Sequence, residues 1–333
     1  MKCSFLLMTG ALLTATVLTA ADLTDSFDTL KWGNWTGKEG KVAYRLNATE
    51  KCAEMVFQEG QVAKVSGNFL RIFPVKTGEC YRVSVKARCA TEGAKCQAGI
   101  GVQGFVGVQN YHSTIINAAK KELNQDWKQL SVDFMVSDIP DHVQVLLSAV
   151  ADSPATVQFD EFSLSPIDFS KSFTDSFDTL SWGFWKHKDA KIVKLHDPVG
   201  GRDGQEAALI EVQDGNPKGN SGCLTRHFPV EKGREYTLVV YVKSEGLAPD
   251  TKIAMSIQGQ SIKPTKFLGT GVQGTKIKAE DCREWKRMVF TYQIPTTGKW
   301  QECGQILVTL GTGGVVPGKV WFDDFEFFRA DAE

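Results

Sequence analysis

Residues 24–35 read TDSFDTLKWGNW and residues 174–185 read TDSFDTLSWGFW; ten of the twelve positions are identical, at a spacing of 150 residues. The echo continues along the chain. SGNFLRIFPVKTGECY (66–81) returns as SGCLTRHFPVEKGREY (221–236), DWKQLSVDF (126–134) as EWKRMVFTY (284–292), and VQFDEFSL (157–164) as VWFDDFEF (320–327). The offset between the two copies grows slowly along the chain, as small loop insertions would make it. A period near 150 residues is too long for a solenoid repeat and matches a whole domain. The chain therefore reads as two tandem copies of one domain, each large enough to bury its own core.

The apolar segments alternate with period two. In YRVSVKA (81–87), Tyr81, Val83, Val85 and Ala87 share one face; in YTLVVYV (236–242), Tyr236, Leu238, Val240 and Val242 do the same. Similar runs recur at 98–105, 130–136, 143–150, 253–260 and 305–310, bounded by turns rich in Gly, Asp, Pro and Lys. Many short strands at this spacing predict an all-β fold of two antiparallel β-sandwich or jelly-roll domains. Only STIINAAKKELNQ (113–125) offers a competing short helix. The expected boundaries are 22–166 and 172–333, with a short linker at 167–171.

Residues 1–21 carry a lysine, an apolar stretch and then small residues, the pattern of a secretory signal peptide. The expected location is secreted, either extracellular or periplasmic. The apolar run is too short for a retained membrane helix, and no later segment is expected to span a bilayer. A formal net charge of −1 leaves no electrostatic footprint for nucleic acid. Beyond Cys3, the seven cysteines sit at non-equivalent positions in the two copies, so a shared catalytic or metal device is not expected. Disulfides added separately to each copy are the expected use, with Cys89–Cys96 and Cys282–Cys303 as candidate pairs and Cys223 left over.

The SFD opening with its Trp, the F-P-V-x-x-G-x-x-Y run, the (D/E)-W-K and the closing F-D-(D/E)-F occur in that order in both copies. Together they resemble the carbohydrate-binding modules of families 4, 9 and 22, which have a galactose-binding-like jelly roll. The resemblance implies a structural Ca2+ in each module, joining the opening strand to the closing one. The matching acids are Asp28 and Asp160 in the first copy, and Asp178 and Asp323 in the second. Calcium takes six to eight oxygens, so backbone carbonyls and water would have to complete either set.

Candidate ligand contacts follow from the strand pattern and the resemblance. In QAGIGVQGF and KIAMSIQGQ one face carries small residues and ends in glutamine, placing Gln103, Gln258 and Gln260 where sugar hydroxyls would find donors and acceptors. Arg71 and Arg226 are equivalent, and the resemblance places them on a ligand-facing strand; a salt bridge between strands is the alternative. Trp32/Trp182, Trp35/Trp185 and Trp127/Trp285 recur, which suggests a shared core role. Phe105, Tyr111, Tyr241, Phe267 and Trp300 occur in one copy only and are candidate stacking platforms.

No G-x-S-x-G, H-E-x-x-H or Walker pattern is present, and the five histidines form no ligand-spaced cluster. The expectation is a non-catalytic, polysaccharide- or oligosaccharide-binding protein, holding glycan on its own or for a partner glycoside hydrolase. Two alternatives stay open: a structural or adhesive surface protein without a glycan ligand, and a jelly-roll hydrolase or lyase, for which Tyr111–His112 is the candidate.

Overall fold

The computed structural model describes residues 23–38, 40–60, 66–106, 109–117, 121–136, 141–168, 172–178, 180–262 and 265–330. The expected signal peptide and part of the expected linker lie outside these residues. The first module runs β1 (Leu23–Asp25), β2 (Gly33–Thr36), β3 (Val42–Asn47), β4 (Cys52–Phe57), β5 (Gly67–Pro74) and β6 (Cys80–Cys89). It continues through β7 (Cys96–Val106), β8 (Gln109–Asn117), β9 (Lys121–Leu123), β10 (Lys128–Met135), β11 (His142–Ala151) and β12 (Ala155–Ile167). The second repeats the plan with β13 (Ser172–Asp175), β14 (Gly183–Lys186), β15 (Ile192–Asp197), β16 (Ala207–Val212), β17 (Ser221–Pro229) and β18 (Glu235–Glu245). Its remaining strands are β19 (Lys252–Ile262), β20 (Thr265–Phe267), β21 (Gln273–Lys278), β22 (Lys286–Gln293), β23 (Gln305–Gly313) and β24 (Gly318–Arg329). The stretch that offered a helix at 113–125 is instead strand at β8 and β9.

Each module is a two-layer antiparallel sandwich, as the alternation predicted. One sheet has the order β10-β6-β12-β4-β3, with β1 paired to β12, and its counterpart is β22-β18-β24-β16-β15, with β13 paired to β24. The other has the order β2-β5-β11-β7-β8, with β9 on β7; its counterpart is β14-β17-β23-β19-β20, with β21 on β19. Tyr81, Val83, Val85 and Ala87 point into the first core and Tyr236, Leu238, Val240 and Val242 into the second. Among the described residues no helix is long and apolar enough to cross a membrane.

The repeated opening is a strained turn held in place from both sides. Phe27 and Phe177 have φ of 52° and 58°, a left-handed conformation that costs an L-residue about 1–2 kcal/mol. Both rings are fully buried, and each packs 5.7 Å from a buried tryptophan, Trp32 or Trp182. The backbone N–H of each Phe donates to Asp25 or Asp175 at 2.8 Å, and the indole N–H of each Trp donates to the same carboxylate. One acid thus fixes the turn and orients the ring that covers it.

The modules touch through a specific contact. Cys80 and Met135, at one end of the first module, are buried in the core cluster of the second. Arg226 donates to Asp175 at 3.2 Å, to Ser181 Oγ at 2.9 Å, and across the boundary to the Asp133 carbonyl at 3.1 Å. Asp133 itself is held by Arg82 through two bonds of 2.7 and 2.8 Å. Lys121 reaches Glu206 of the second module at 3.4 Å.

Candidate functional site

The β2-containing sheet and its counterpart each turn one face to the core and one outward. On β7, Ala98, Ile100 and Val102 face the core, so Gly99, Gly101, Gln103 and Phe105 face out; on β19, Ile253, Met255 and Ile257 face in, and Ala254, Ser256, Gln258 and Gln260 lie on the other face. Gln103 and Gln258 are half-buried on these outer faces, as the strand pattern predicted.

Strand register shows what stands beside them. In the second module one row across the sheet is Trp185, Cys223, Gly311 and Ala254, and the next is Gly183, Thr225, Thr309 and Ser256. His227, Leu307 and Gln258 follow, then Gln305, Gln260 and Phe267. The Ser256 and Thr309 hydroxyls share a 2.7 Å hydrogen bond. Burial holds the His227 imidazole below its ordinary value, so it is neutral near pH 7. The Gln260 amide works the other way, short of hydrogen-bond geometry, since Gln260 Oε1 is buried without a partner among the described residues. In the first module the rows are Trp35, Asn68, Ser148 and Gly99, then Gly33, Leu70, Leu146 and Gly101, then Ile72, Gln144 and Gln103. This face is more apolar, and Ile72 is exposed on it.

Trp35 and Trp185 overturn one expectation. Recurrence suggested core positions, yet the two side chains are 55% and 51% exposed. They sit on the edge strands β2 and β14, whose outward register partners leave each indole standing over small neighbours. His187 packs edge-on against Trp185 at 4.7 Å. Of the other recurrent tryptophans, Trp32 and Trp182 are core residues as expected. Trp127 and Trp285 are half-buried, the first under the Arg88 guanidinium at 4.6 Å and the second against Ala207, Leu209 and Trp321.

Several proposed ligand contacts lie elsewhere. Arg71 lies two residues from each of Phe69 and Phe73, and Arg226 two from each of Leu224 and Phe228, so both share the core side of their strands. Arg71 pairs with Asp25 at 2.5 Å and stacks on Phe73 at 5.1 Å, while Arg226 pairs with Asp175 and stacks on Phe173 at 4.3 Å. Their role is the salt bridge, made to the first acid of TDSFD. Trp300 is 7% exposed and packed against Tyr292 and over Gly259, where a Cβ would lie 2.8 Å from its ring; it is a core residue rather than a platform. Tyr241 is in the other sheet with the Arg202 guanidinium 3.6 Å above its ring, so that face is already occupied. Gln260 is buried, while Phe105 is half-buried at the end of β7, opposite His142. Phe267 is exposed, at the sheet edge next to Gln260. Tyr111 lies on β8, whose side chains fall outside the described residues.

The four acids matched to calcium form no donor set. Asp28 and Asp178 are exposed, and Asp28 accepts from Ser26 Oγ at 2.7 Å. Asp160 and Asp323 sit at β-bulges in the closing strands, before Glu161 and Asp324 with φ of 48° and 46°. Each takes the next backbone N–H at 2.7 Å, and Asp323 takes the Arg202 N–H as well, at 2.9 Å. Burial raises both carboxyls above the ordinary range, and Asp28 is close enough to add to the rise at Asp160. Cationic Lys86 and Arg202 pair with the neighbouring acids Glu161 and Asp324. N–H donors and cations stand where Ca2+ would need oxygens, so these residues do not fit the ion.

A second acidic group, Glu50, Cys52 and Glu54, converges within 4.8 Å. It too is filled: Glu54 accepts from Arg45, Asn47 and Gln158, and Glu50 from Arg88 and Gln158. Burial pushes the Cys52 thiol up to about 12, which removes it as a thiolate ligand at neutral pH. Between the modules lies a polar cleft of about 560 Å³, lined by Arg82, Asp133, Arg202, Tyr241 and Asp324 among others. Its arginines are paired with Asp133 and Asp324.

The geometry defines a class: tandem antiparallel β-sandwich modules, each with an outward tryptophan at the edge of one sheet, beside a small and polar face in the second module and a more apolar one in the first. No protein-family model matches the sequence, and no curated protein matches it. Among solved structures, the chain is similar to the N-terminal CBM22-1–CBM22-2 tandem domain of Paenibacillus barcinonensis Xyn10C. The two are 13% identical, with 96% of this chain and 100% of that chain covered and a TM-score of 0.36. A CBM4 structure is 18% identical, covering 43% of this chain and 97% of its own, at a TM-score of 0.32. TmCBM61 in complex with β-1,4-galactotriose is 19% identical, covering 44% and 88%, at 0.31. Likenesses of this degree do not carry a ligand from one protein to another.

Proposed function

We propose that the chain is an exported, non-catalytic carbohydrate-binding protein, and that the outer face of the β14-β17-β23-β19-β20 sheet holds a neutral polysaccharide. It would hold glycan on its own or for a partner glycoside hydrolase. The observation that carries the reading is Trp185, half exposed beside the small residues Cys223, Gly311 and Ala254, on a face that also presents Thr225, Thr309, Ser256, His227 and Gln258 around the larger apolar Leu307. An indole supplies an apolar plane for the C–H face of a pyranose, and hydroxyl and amide groups alongside match its equatorial hydroxyls. No carboxylate stands among the outward residues of β14, β17, β19 and β23, so the face lacks the acid pair that glycoside cleavage requires. The first module presents the equivalent tryptophan, Trp35, but the rows that follow it on the same face carry Leu70, Leu146 and Ile72, a poorer match to hydroxyls, and it would act as the weaker partner. The motif order shared with carbohydrate-binding modules points the same way. Affinity electrophoresis against soluble xylan, β-glucan, galactan and mannan tests the proposal. Retardation by at least one is expected; migration unchanged in all of them would refute it.

A further inference from the structure

We infer that Cys89 and Cys96 are a disulfide-forming pair, a covalent staple between the two sheets of the first module that the second module lacks. The two Sγ atoms lie 2.8 Å apart, and both residues are buried. Cys89 ends β6 in one sheet and Cys96 begins β7 in the other, so the bond would join the layers at the edge where the chain crosses between them. β7 is the strand that carries Gly99, Gly101 and Gln103 on the outer face, and the staple would anchor its first residue. No other described cysteine meets a partner in this way. Cys282 lies beside Ser244 and Ala279, near the Lys252 end of β19, whereas Cys303 bonds the Gln305 carbonyl opposite Gln260. Those ends are eight residues of strand apart, roughly 26 Å, which corrects the Cys282–Cys303 expectation. At the position equivalent to Cys89 the second module has Ser244, whose hydroxyl donates to the Ala279 carbonyl at 2.8 Å. A hydrogen bond there replaces the staple.

The reaction is a thiol–disulfide exchange. The two thiols form one S–S bond, and their two protons and two electrons reduce glutathione disulfide, or the disulfide of an oxidoreductase, to two thiols. Burial raises the Cys96 thiol well above its ordinary value, with Cys89 adding to the rise, so thiolate is scarce in the folded chain. The bond should therefore form before the sandwich closes and then resist reductant until the module unfolds.

Refolding in a glutathione redox buffer tests the proposal, followed by alkylation of the denatured protein with and without prior reduction. Two additional thiols are expected after reduction. Trypsin cuts after Arg88 and Lys95, so peptides 89–95 and 96–120 should appear linked until reduced. Cys89→Ser should abolish the link and Cys282→Ser should leave it. Equal alkylation with and without reduction, or a link between other cysteines, would overturn the inference, and the wild-type map decides even if Cys89→Ser fails to fold.

Discussion

Arg226 shows how much one side chain can organise. Its guanidinium is buried, satisfied by Asp175, Ser181 and the Asp133 carbonyl, and stacked on Phe173. Burial works against both charges of the Asp175–Arg226 pair, lowering the arginine and raising the acid, while their mutual attraction opposes each shift. Removing one partner leaves the other charged and unmatched, at a cost of about 3–5 kcal/mol. Arg226→Ala is therefore expected to lower the unfolding free energy by that amount in urea titration. The double replacement Arg226→Met with Asp175→Asn should lose much less, because no lone charge remains. Trp300 makes a second residue-scale case. Its exposure is small and its ring rests on Gly259, so Trp300→Ala should cost about 3–5 kcal/mol in the same titration. A surface platform would lose stability of only about 0.5 kcal/mol or less.

At the scale of elements, the Glu54 network ties β3, β4 and β12 together. Burial favours protonation of Glu54, but hydrogen bonds from Gln158, Arg45 and Asn47 prevail and hold its carboxyl below the ordinary 4.5. A carboxyl lowered by folding stabilises the native state above its unfolded value, and that contribution disappears as pH falls through the folded value. Glu54→Gln should be less stable than wild type by about 2 kcal/mol at pH 7, with the gap closing below pH ~4.5 in denaturation curves across pH. Strands of this kind were legible from period-two alternation, and so were the module count and the outward glutamines of β7 and β19. The same alternation places Arg71 between Phe69 and Phe73, on the core side, where a salt bridge to Asp25 is the natural role for a guanidinium. For Trp35 and Trp185, identity between the copies does not signal burial. A repeated surface repeats its residues as faithfully as a repeated core does. Trp300 was hidden for a different reason, since its burial depends on a glycine some forty residues away in sequence, which no local pattern reveals.

For the whole molecule, the two copies differ where one docks on the other. Cys80 and Met135, buried at the junction, correspond to Glu235 and Gln293, both exposed. Arg82 and Asp133 correspond to Thr237 and Thr291, whose hydroxyls bond each other at 2.9 Å. The first module's end is apolar and charge-paired because it is covered; the second module's end is polar because it faces water. The outer faces differ as well, polar in the second module and more apolar in the first, which makes Trp185 the deciding residue. The most direct measurement is affinity electrophoresis of wild type and Trp185→Ala side by side on the glycan that retards the wild type best. Stacking of a nucleic-acid base on an aromatic is worth about 1–3 kcal/mol; on that scale a loss of affinity of about five-fold or more is expected for a sugar face, with the melting temperature unchanged. Equal retardation of the two proteins would contradict the account.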